Sequence, residues 1–485
     1  MIEPQPADVL DSPRAGARVI RGTATRTAGY FIGLALALLA APLLTRHLGV
    51  EDYGSFVVVS SLIGIAFIFA DAGLTVVGLR EYAVRDAEGR RRLLQNLISA
   101  RLVASALAGA AAVLFTLVAG YEPLLVVGVA FGAVGLVLTM AQRTYAIPLA
   151  AALRLELTTG LDLLRQALAV TGTIVLVVAG AGLLAFFILP IPVAVAVLVS
   201  TLFAVRGYGG ARPGVRRQEF RYLLGEMPAA AASVLNALFY RVAIVMMSLF
   251  ASAQETGYFG VSLQVVDVFI AVAALIAGSA LPVLARAADT DRQRLASAFQ
   301  QLFDVSVILG AGTAFVLVVG AEPIIAFLGG ADFAPAVPVL RIQGLALAAT
   351  FGVTLFWYML WAVRAKRQLV VGNLVGFGAA IVLTATLVPY AEAQGAALAM
   401  LIAESLLAVW LGIALLGHRP ELRPSLRTPA KVLVALSVAA GVAIIPLPDL
   451  AAVILGSAAY VVVLLALRAI PREIWRATFG GTRSS

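Results

Sequence analysis

The chain has 485 residues, 61% of them hydrophobic and only 13% charged, with a formal net charge of +9. Soluble domains carry about a quarter charged residues, so this composition excludes a string of water-soluble domains. There is no cysteine, which excludes disulfides, thiolate chemistry and cysteine-based metal sites.

Residues 1–26, MIEPQPADVLDSPRAGARVIRGTATR, are polar. They lack the basic start and early apolar core of a signal peptide and read as a cytoplasmic tail. Apolar blocks of about twenty residues follow, the length that crosses a ~30 Å hydrocarbon layer as a helix. The first six are 27–45, 55–79, 96–119, 124–142, 160–180 and 184–205. The second six are 223–250, 257–281, 299–321, 337–362, 369–388 and 396–416, and two more are 430–446 and 451–468. All read as helices, because an open strand cannot satisfy its backbone in lipid. Pro190, Pro192, Pro228, Pro282 and Pro338 mark kinks or ends.

The expected fold is therefore all-α and polytopic, with about 14 transmembrane helices. Helices one to six (27–205) form one lobe, and a basic cytoplasmic linker (206–222) leads to a second lobe of helices seven to twelve (223–416). Helices thirteen and fourteen (430–468) stand outside the two lobes, and a cytoplasmic tail (469–485) ends the chain. Of the 35 basic residues, all but Arg46, Arg101, Arg241 and Arg341 fall in or beside connections on one side. That asymmetry places both termini in the cytoplasm and accounts for the basicity without nucleic acid. It also makes Arg80–Arg92 the first large inner loop.

The two lobes echo one another. Gly-x-Glu-Pro occurs at Gly120–Pro123 and again at Gly320–Pro323, two hundred residues on. VEDYGSF (Val50–Phe56) is echoed by QETGYFG (Gln254–Gly260) at a similar offset. Both echoes read as outward helix starts, which suggests a duplicated six-helix unit, an architecture found around transporter cavities.

The connections hold no Gly-rich phosphate loop, no nucleophile elbow, no HExxH and no metal-spaced acidic pair, and the outward loops are short. Catalysis and nucleic-acid binding are not expected. Polar residues inside the membrane are functional hypotheses by default. Asp71, Arg101, Arg241, Asp267, Asp304, Arg341 and Glu404 lie inside apolar blocks. Arg101 and Asp304 sit close enough to helix ends to snorkel. Arg241 and Asp267 each lie about 15 Å below the outer surface at 1.5 Å per residue. They read either as a structural ion pair or as a cavity cation with a counter-ion that an anionic substrate releases. Asp71 reads either as a structural group, ion-paired or hydrogen-bonded within reach of Arg101 or Arg80, or as a substrate or proton site.

Residues Leu44–Ala83, LTRHLGVEDYGSFVVVSSLIGIAFIFADAGLTVVGLREYA, resemble the N-terminal signature of Wzx-type lipid-linked oligosaccharide flippases. These belong to the multidrug/oligosaccharidyl-lipid/polysaccharide exporter superfamily. The matching residues are Leu48-Gly49, Tyr53-Gly54-Ser55-Phe56, Ser61-Leu62, Asp71-Ala72-Gly73-Leu74, Arg80 and Ala83, with Gly257-Tyr258 in the second half.

The resemblance implies two lobes around a central cavity in the cell (inner) membrane. It implies alternating access and an undecaprenyl-diphosphate-type lipid-linked oligosaccharide as cargo, for O-antigen, capsule or exopolysaccharide. Membrane lipids, a polysaccharide polymerase and chain-length machinery are the implied partners. Cavity cations suit a diphosphate: Arg241 leads, followed by Arg101 and Arg26, with Asp267 and Glu404 as acidic candidates. Asp71, Gly73, Tyr53, Gly54 and Arg80 are signature residues. No cofactor is implied, and coupling to H+ or Na+ is left open: Tyr240-Arg241 is followed by no acid until Glu255, where many relatives carry one in helix seven. Rival readings are a lipid II flippase, a multidrug or cation antiporter of the same superfamily, and a membrane-embedded polymerase or ligase.

Overall fold

The protein is described by a computed structural model covering residues 15–208, 213–214, 231–446 and 448–469. All regular structure among the described residues is helical. Ten helices there are long and apolar enough to cross a membrane. Two of them are too long for one crossing. α1 (Ala15–Asp71) has 57 residues and a non-helical Gly49 near its middle (φ 70, ψ −178). A straight helix of that length would reach about 85 Å, far beyond a ~30 Å membrane core. Gly49 supplies the break, in a conformation open to glycine. The fourteen expected crossings are compatible with this fold.

The chain divides into two compact units, Met1–Val245 and Met246–Ser485. In the first unit, α1 is followed by α2 (Leu74–Val84), α3 (Ala87–Val118), α4 (Pro123–Tyr145), the short α5 (Ile147–Ala151) and α6 (Leu155–Val178). Then come α7 (Leu183–Ile188) and α8 (Pro190–Ala204), two pieces divided at the expected Pro190. The unit ends inside α9 (Ala231–Phe250). Pro228 and residues 223–230 of the expected seventh helix lie outside the described residues, as does most of the linker. Lipid tails are as apolar as leucine, so close packing and small residues hold such helices together. At Gly132 of α4 an added Cβ would come within 2.5 Å of Ile63 Cγ1 on α1. At Gly109 of α3 it would come within 2.7 Å of Ala133 Cβ. A buried cluster of Val58, Leu62, Ala66, Val129, Leu136, Met140 and Val245 knits α1, α4 and α9.

The second unit holds the end of α9 and α10 (Ala253–Thr290), α11 (Arg292–Val319), α12 (Ala321–Gly329) and α13 (Ala336–Ala362). It continues through α14 (Lys366–His418), α15 (Arg427–Ala443) and α16 (Asp449–Ala466). α14 has 53 residues and breaks at Glu392 (φ 46, ψ −125). α15 and α16 pack on α11 through Phe315, Val432, Ala435, Ala439 and Tyr460.

The expected repeat differs in detail between its copies. Gly120 takes a positive φ (72) and Pro123 opens the membrane helix α4. Gly320 caps a separate nine-residue helix, α12, at φ −88, and α13 starts only at Ala336. The four residues match, but only the first copy turns the backbone through a left-handed glycine.

Candidate functional site

The second half of α1 organises the first unit. It ends at Asp71, where Ala72 (φ 37) and Gly73 (φ 79) turn the chain before α2 begins at Leu74. The expected second helix is therefore not continuous: the Asp-Ala-Gly-Leu stretch is its break. Left-handed backbone of this kind favours glycine, and Gly73 is there for conformation as well as size. Ala72 N–H still bonds Ile68 O at 2.9 Å, and Val77 N–H bonds Gly73 O at 3.2 Å.

Asp71 does not face water alone. Arg101 Nη2 of α3 donates to Asp71 Oδ1 at 2.5 Å and to Thr75 Oγ1 at 2.5 Å, and Nη1 reaches Thr144 Oγ1 at 3.2 Å. Thr75, on the far side of the break, donates to Asp71 Oδ1 at 2.5 Å. Arg101 is 0% exposed and Asp71 22%, so this is an ion pair with its charge almost fully desolvated. Arg101 does not snorkel, and its Nε finds no partner among the described residues. Arg80, the other arginine considered for Asp71, instead meets its neighbour Glu81 at 3.1 Å.

Two further arginines lie on the same side of α1. The Arg143 guanidinium sits 4.9 Å from the centre of the Phe67 ring, a cation–π distance. Arg241 of α9 lies across Gly64: a Cβ there would stand 3.4 Å from Arg241 Nε and 3.5 Å from its Cδ. Residues 64, 67 and 71 are spaced i, i+3, i+7 and so share one helical face. Arg241, Arg143 and Arg101 are thus stacked along that face, one helix turn after another.

Arg143 acts electrostatically on both Arg101 and Arg165. Arg165 of α6 donates to Gln142 Oε1 at 2.5 Å, and Gln142 donates on to Thr201 Oγ1 at 3.0 Å. Asp71 balances Arg101, whereas Arg241 forms no hydrogen bond or ion pair among the described residues. The opposite face of α1 carries Leu62, Ile65, Ala66 and Phe69. With Ala112 and Val245 they line an apolar cavity of about 320 Å³. One helix therefore separates a basic face from an apolar one.

The remaining candidates are dispersed. Asp267 is an exposed residue of α10, in the second unit. Glu404 is buried in α14 at 3% exposure and accepts a hydrogen bond from Thr350 of α13. The side chain of Arg26 lies outside the described residues. Arg341 is exposed near the start of α13, and Asp304 is bonded by Gln300 at 2.8 Å. Tyr53 and Gly54 are buried near the start of the second half of α1, where Tyr53 stacks on Phe56 and Phe56 on Phe187. No group of three His, Asp or Glu among the described residues could hold a metal ion. Arg143 and Arg165 were not among the expected site residues. Both had been absorbed into the inner-side charge count, although Arg165 lies well inside a helix.

A family model described as polysaccharide biosynthesis protein matches residues 43–338, more than half of the chain. No curated protein matches. Among solved structures, the chain is similar to the lipid II flippase MurJ in an inward closed conformation. The TM-score is 0.69 at 15% identity, covering 93% of this chain and 99% of that one. It is also similar to an inward-facing multidrug resistance MATE family transporter of the MOP superfamily, with a TM-score of 0.64 at 13% identity over 79% of this chain and 96% of that one. An outward-facing MATE transporter matches with a TM-score of 0.56 at 12% identity, over 86% of this chain and 98% of that one. At such identities the likeness establishes the fold.

Proposed function

The chain belongs to the polysaccharide biosynthesis protein family, and from that membership we propose that it flips a polyprenyl-diphosphate-linked oligosaccharide between the leaflets of the cell membrane. The cargo moves from inner to outer leaflet by alternating access of the two units, for surface polysaccharide (O-antigen, capsule or exopolysaccharide). The observation that carries the reading is the row of Arg241, Arg143 and Arg101 along the Gly64–Phe67–Asp71 face of α1. Such a row has no use for a neutral or cationic cargo.

Arginine is suited to phosphate because its planar fork of donors matches phosphate oxygens. The contact points of Arg143 and Arg241 on α1 are three residues apart, about 4.5 Å along the axis, so neighbouring phosphoryl groups can each meet one guanidinium. Arg101 plays another part. Neutralised by Asp71, it holds α3 against the break and leaves the exposed charge to its neighbours. Arg165, fixed by Gln142, adds positive potential beside Arg143. The likeness of fold to a lipid II flippase supports a lipid-linked cargo. The inner-membrane setting, cytoplasmic termini and a functional link to polymerase and chain-length machinery complete the proposal, and Asp267, Arg26 and Glu404 are proposed as secondary cavity groups.

The test is transport in proteoliposomes containing fluorescent polyprenyl-diphosphate oligosaccharide. Wild-type protein should expose the label to an external quencher, and Arg241→Ala should abolish this while inserting normally. Full activity in Arg241→Ala would refute the reading. Transport of a peptidoglycan-type lipid precursor in place of the oligosaccharide would move the assignment to the lipid II class.

A further inference from the structure

Beside the arginine row runs a chain of hydrogen bonds whose direction is fixed at both ends. Thr201 of α8 donates its hydroxyl proton to Val197 O at 2.8 Å. A hydroxyl has a single proton, so only lone pairs remain at Thr201 Oγ1 for Gln142 of α4. The Gln142 amide therefore presents its NH2 group there, at 3.0 Å, and turns its Oε1 the other way. Oε1 accepts from Arg165 Nη2 of α6 at 2.5 Å, and a guanidinium can only donate. The reversed amide would set oxygen against lone pairs at one end and N–H against N–H at the other. Gln142 is 4% exposed and Thr201 0%, so the bond between them has no solvent to replace it.

The hydrogen-bond partner of Arg165 is thus a neutral amide. Arg101 is held by the carboxylate of Asp71 and neutralised by it, whereas Arg165 is held and keeps its charge. Asp162, three residues back on α6, acts on Arg165 electrostatically. It is exposed, however, and the two form no ion pair among the described residues. Gln142 is followed directly by Arg143, which rests on the Phe67 ring. Consecutive residues of α4 so bring two cations together, and Arg143 repels Arg165. Like charges that are partly desolvated side by side destabilise one another, and an anion lying between them relieves that cost.

On the reading of a lipid-diphosphate cargo, we propose that Thr201 and Gln142 are positioning residues. They hold Arg165, still charged, beside Arg143, so that the two guanidiniums together receive the diphosphate. Gln142 supplies an acceptor without a charge. A carboxylate in its place would pair with the guanidinium and remove the repulsion that the anion relieves. Thr201 supplies the far anchor. Without its hydroxyl the buried NH2 group is left unpaired, which is costly, and Oε1 loses its fixed place in front of Arg165. Both residues act through Arg165 and neither contacts the cargo.

Binding of polyprenyl diphosphate to the full chain in nanodiscs, with thermal unfolding of the same samples, tests this. Gln142→Glu should lower affinity about 10-fold, the scale of one charge-assisted hydrogen bond, while its unfolding temperature stays at or above that of wild type. Thr201→Val should lower affinity about 3-fold or more, and Thr201→Ser, which keeps the hydroxyl, should restore it. Wild-type affinity in Gln142→Glu would overturn the positioning role, as would a loss of stability accompanying its loss of affinity. Equal affinities of Thr201→Val and Thr201→Ser would overturn it too. Should Thr201→Val not fold, Gln142→Glu decides alone. If Arg143→Gln binds the diphosphate as wild type does, the cargo reading itself fails. If Arg143→Gln loses affinity and Gln142→Glu does not, only the positioning role fails.

Discussion

Arg101 Nη2 lies 2.5 Å from Asp71 Oδ1 across the break that divides α1 from α2, with the arginine wholly buried. Thr75, from the other side of the break, completes the contact. An acid in an apolar helix is thereby explained without making it a substrate ligand. It offsets a buried guanidinium and ties together two helix ends whose backbone has turned aside.

Removing one member of a buried pair leaves the other charge uncompensated, at about 3–5 kcal/mol. Asp71→Asn and Arg101→Gln should each lower the melting temperature of the purified protein and its yield in the membrane. The double substitution should recover part of the loss, because replacing both partners spares the stranded charge. Thermal unfolding in detergent reads all three. Additive losses in the double variant would show that the two groups act separately.

Gly73→Ala should also destabilise. Gly73 has φ 79, a region in which a Cβ costs roughly 1–2 kcal/mol. The neighbouring Ala72 (φ 37) already bears such strain, so the break has little room for more. Unchanged unfolding of Gly73→Ala would mean that the turn relaxes freely.

Gly132→Val probes close packing. A Cβ there already falls 2.5 Å from Ile63, so branched bulk should push α4 from α1 and cost about 1–3 kcal/mol. Adding Ile63→Ala should restore part of it. A stable Gly132→Val protein with no benefit from Ile63→Ala would contradict the contact.

Much of this was legible in the sequence and some was not. Block lengths pointed to an all-helical membrane chain because the bilayer imposes a length rule on every crossing. The resemblance over Leu44–Ala83 pointed to the family that the model over residues 43–338 then showed. Asp71 was narrowed to two arginines, but only packing decides that Arg101 reaches it while Arg80 turns to Glu81. Gly73 was read only as a signature residue, since the sign of its φ does not show in composition. Arg143 and Arg165 were hidden by the positive-inside rule, which explains an arginine near a helix end before asking which way it faces. The one available hint was Arg165, a charge well inside an apolar block.

Gly64 gives a gentler probe of Arg241 than removing the arginine. Gly64→Leu would occupy the space where Nε and Cδ now rest. It should weaken lipid-diphosphate binding with little change in unfolding temperature, since only the end of a long side chain has to move. Intact binding would show that the seat on α1 does not fix the cation.

The most direct measurement compares binding of polyprenyl diphosphate and polyprenyl monophosphate to wild type, Arg143→Gln, Arg241→Gln and the double variant in nanodiscs. A charge-assisted hydrogen bond contributes about 1.5–3 kcal/mol, so each single variant should lose about 10-fold or more in affinity for the diphosphate. The preference for diphosphate over monophosphate should disappear in the double variant. Wild-type affinity and preference in the double variant would contradict the assignment of this arginine row to the cargo.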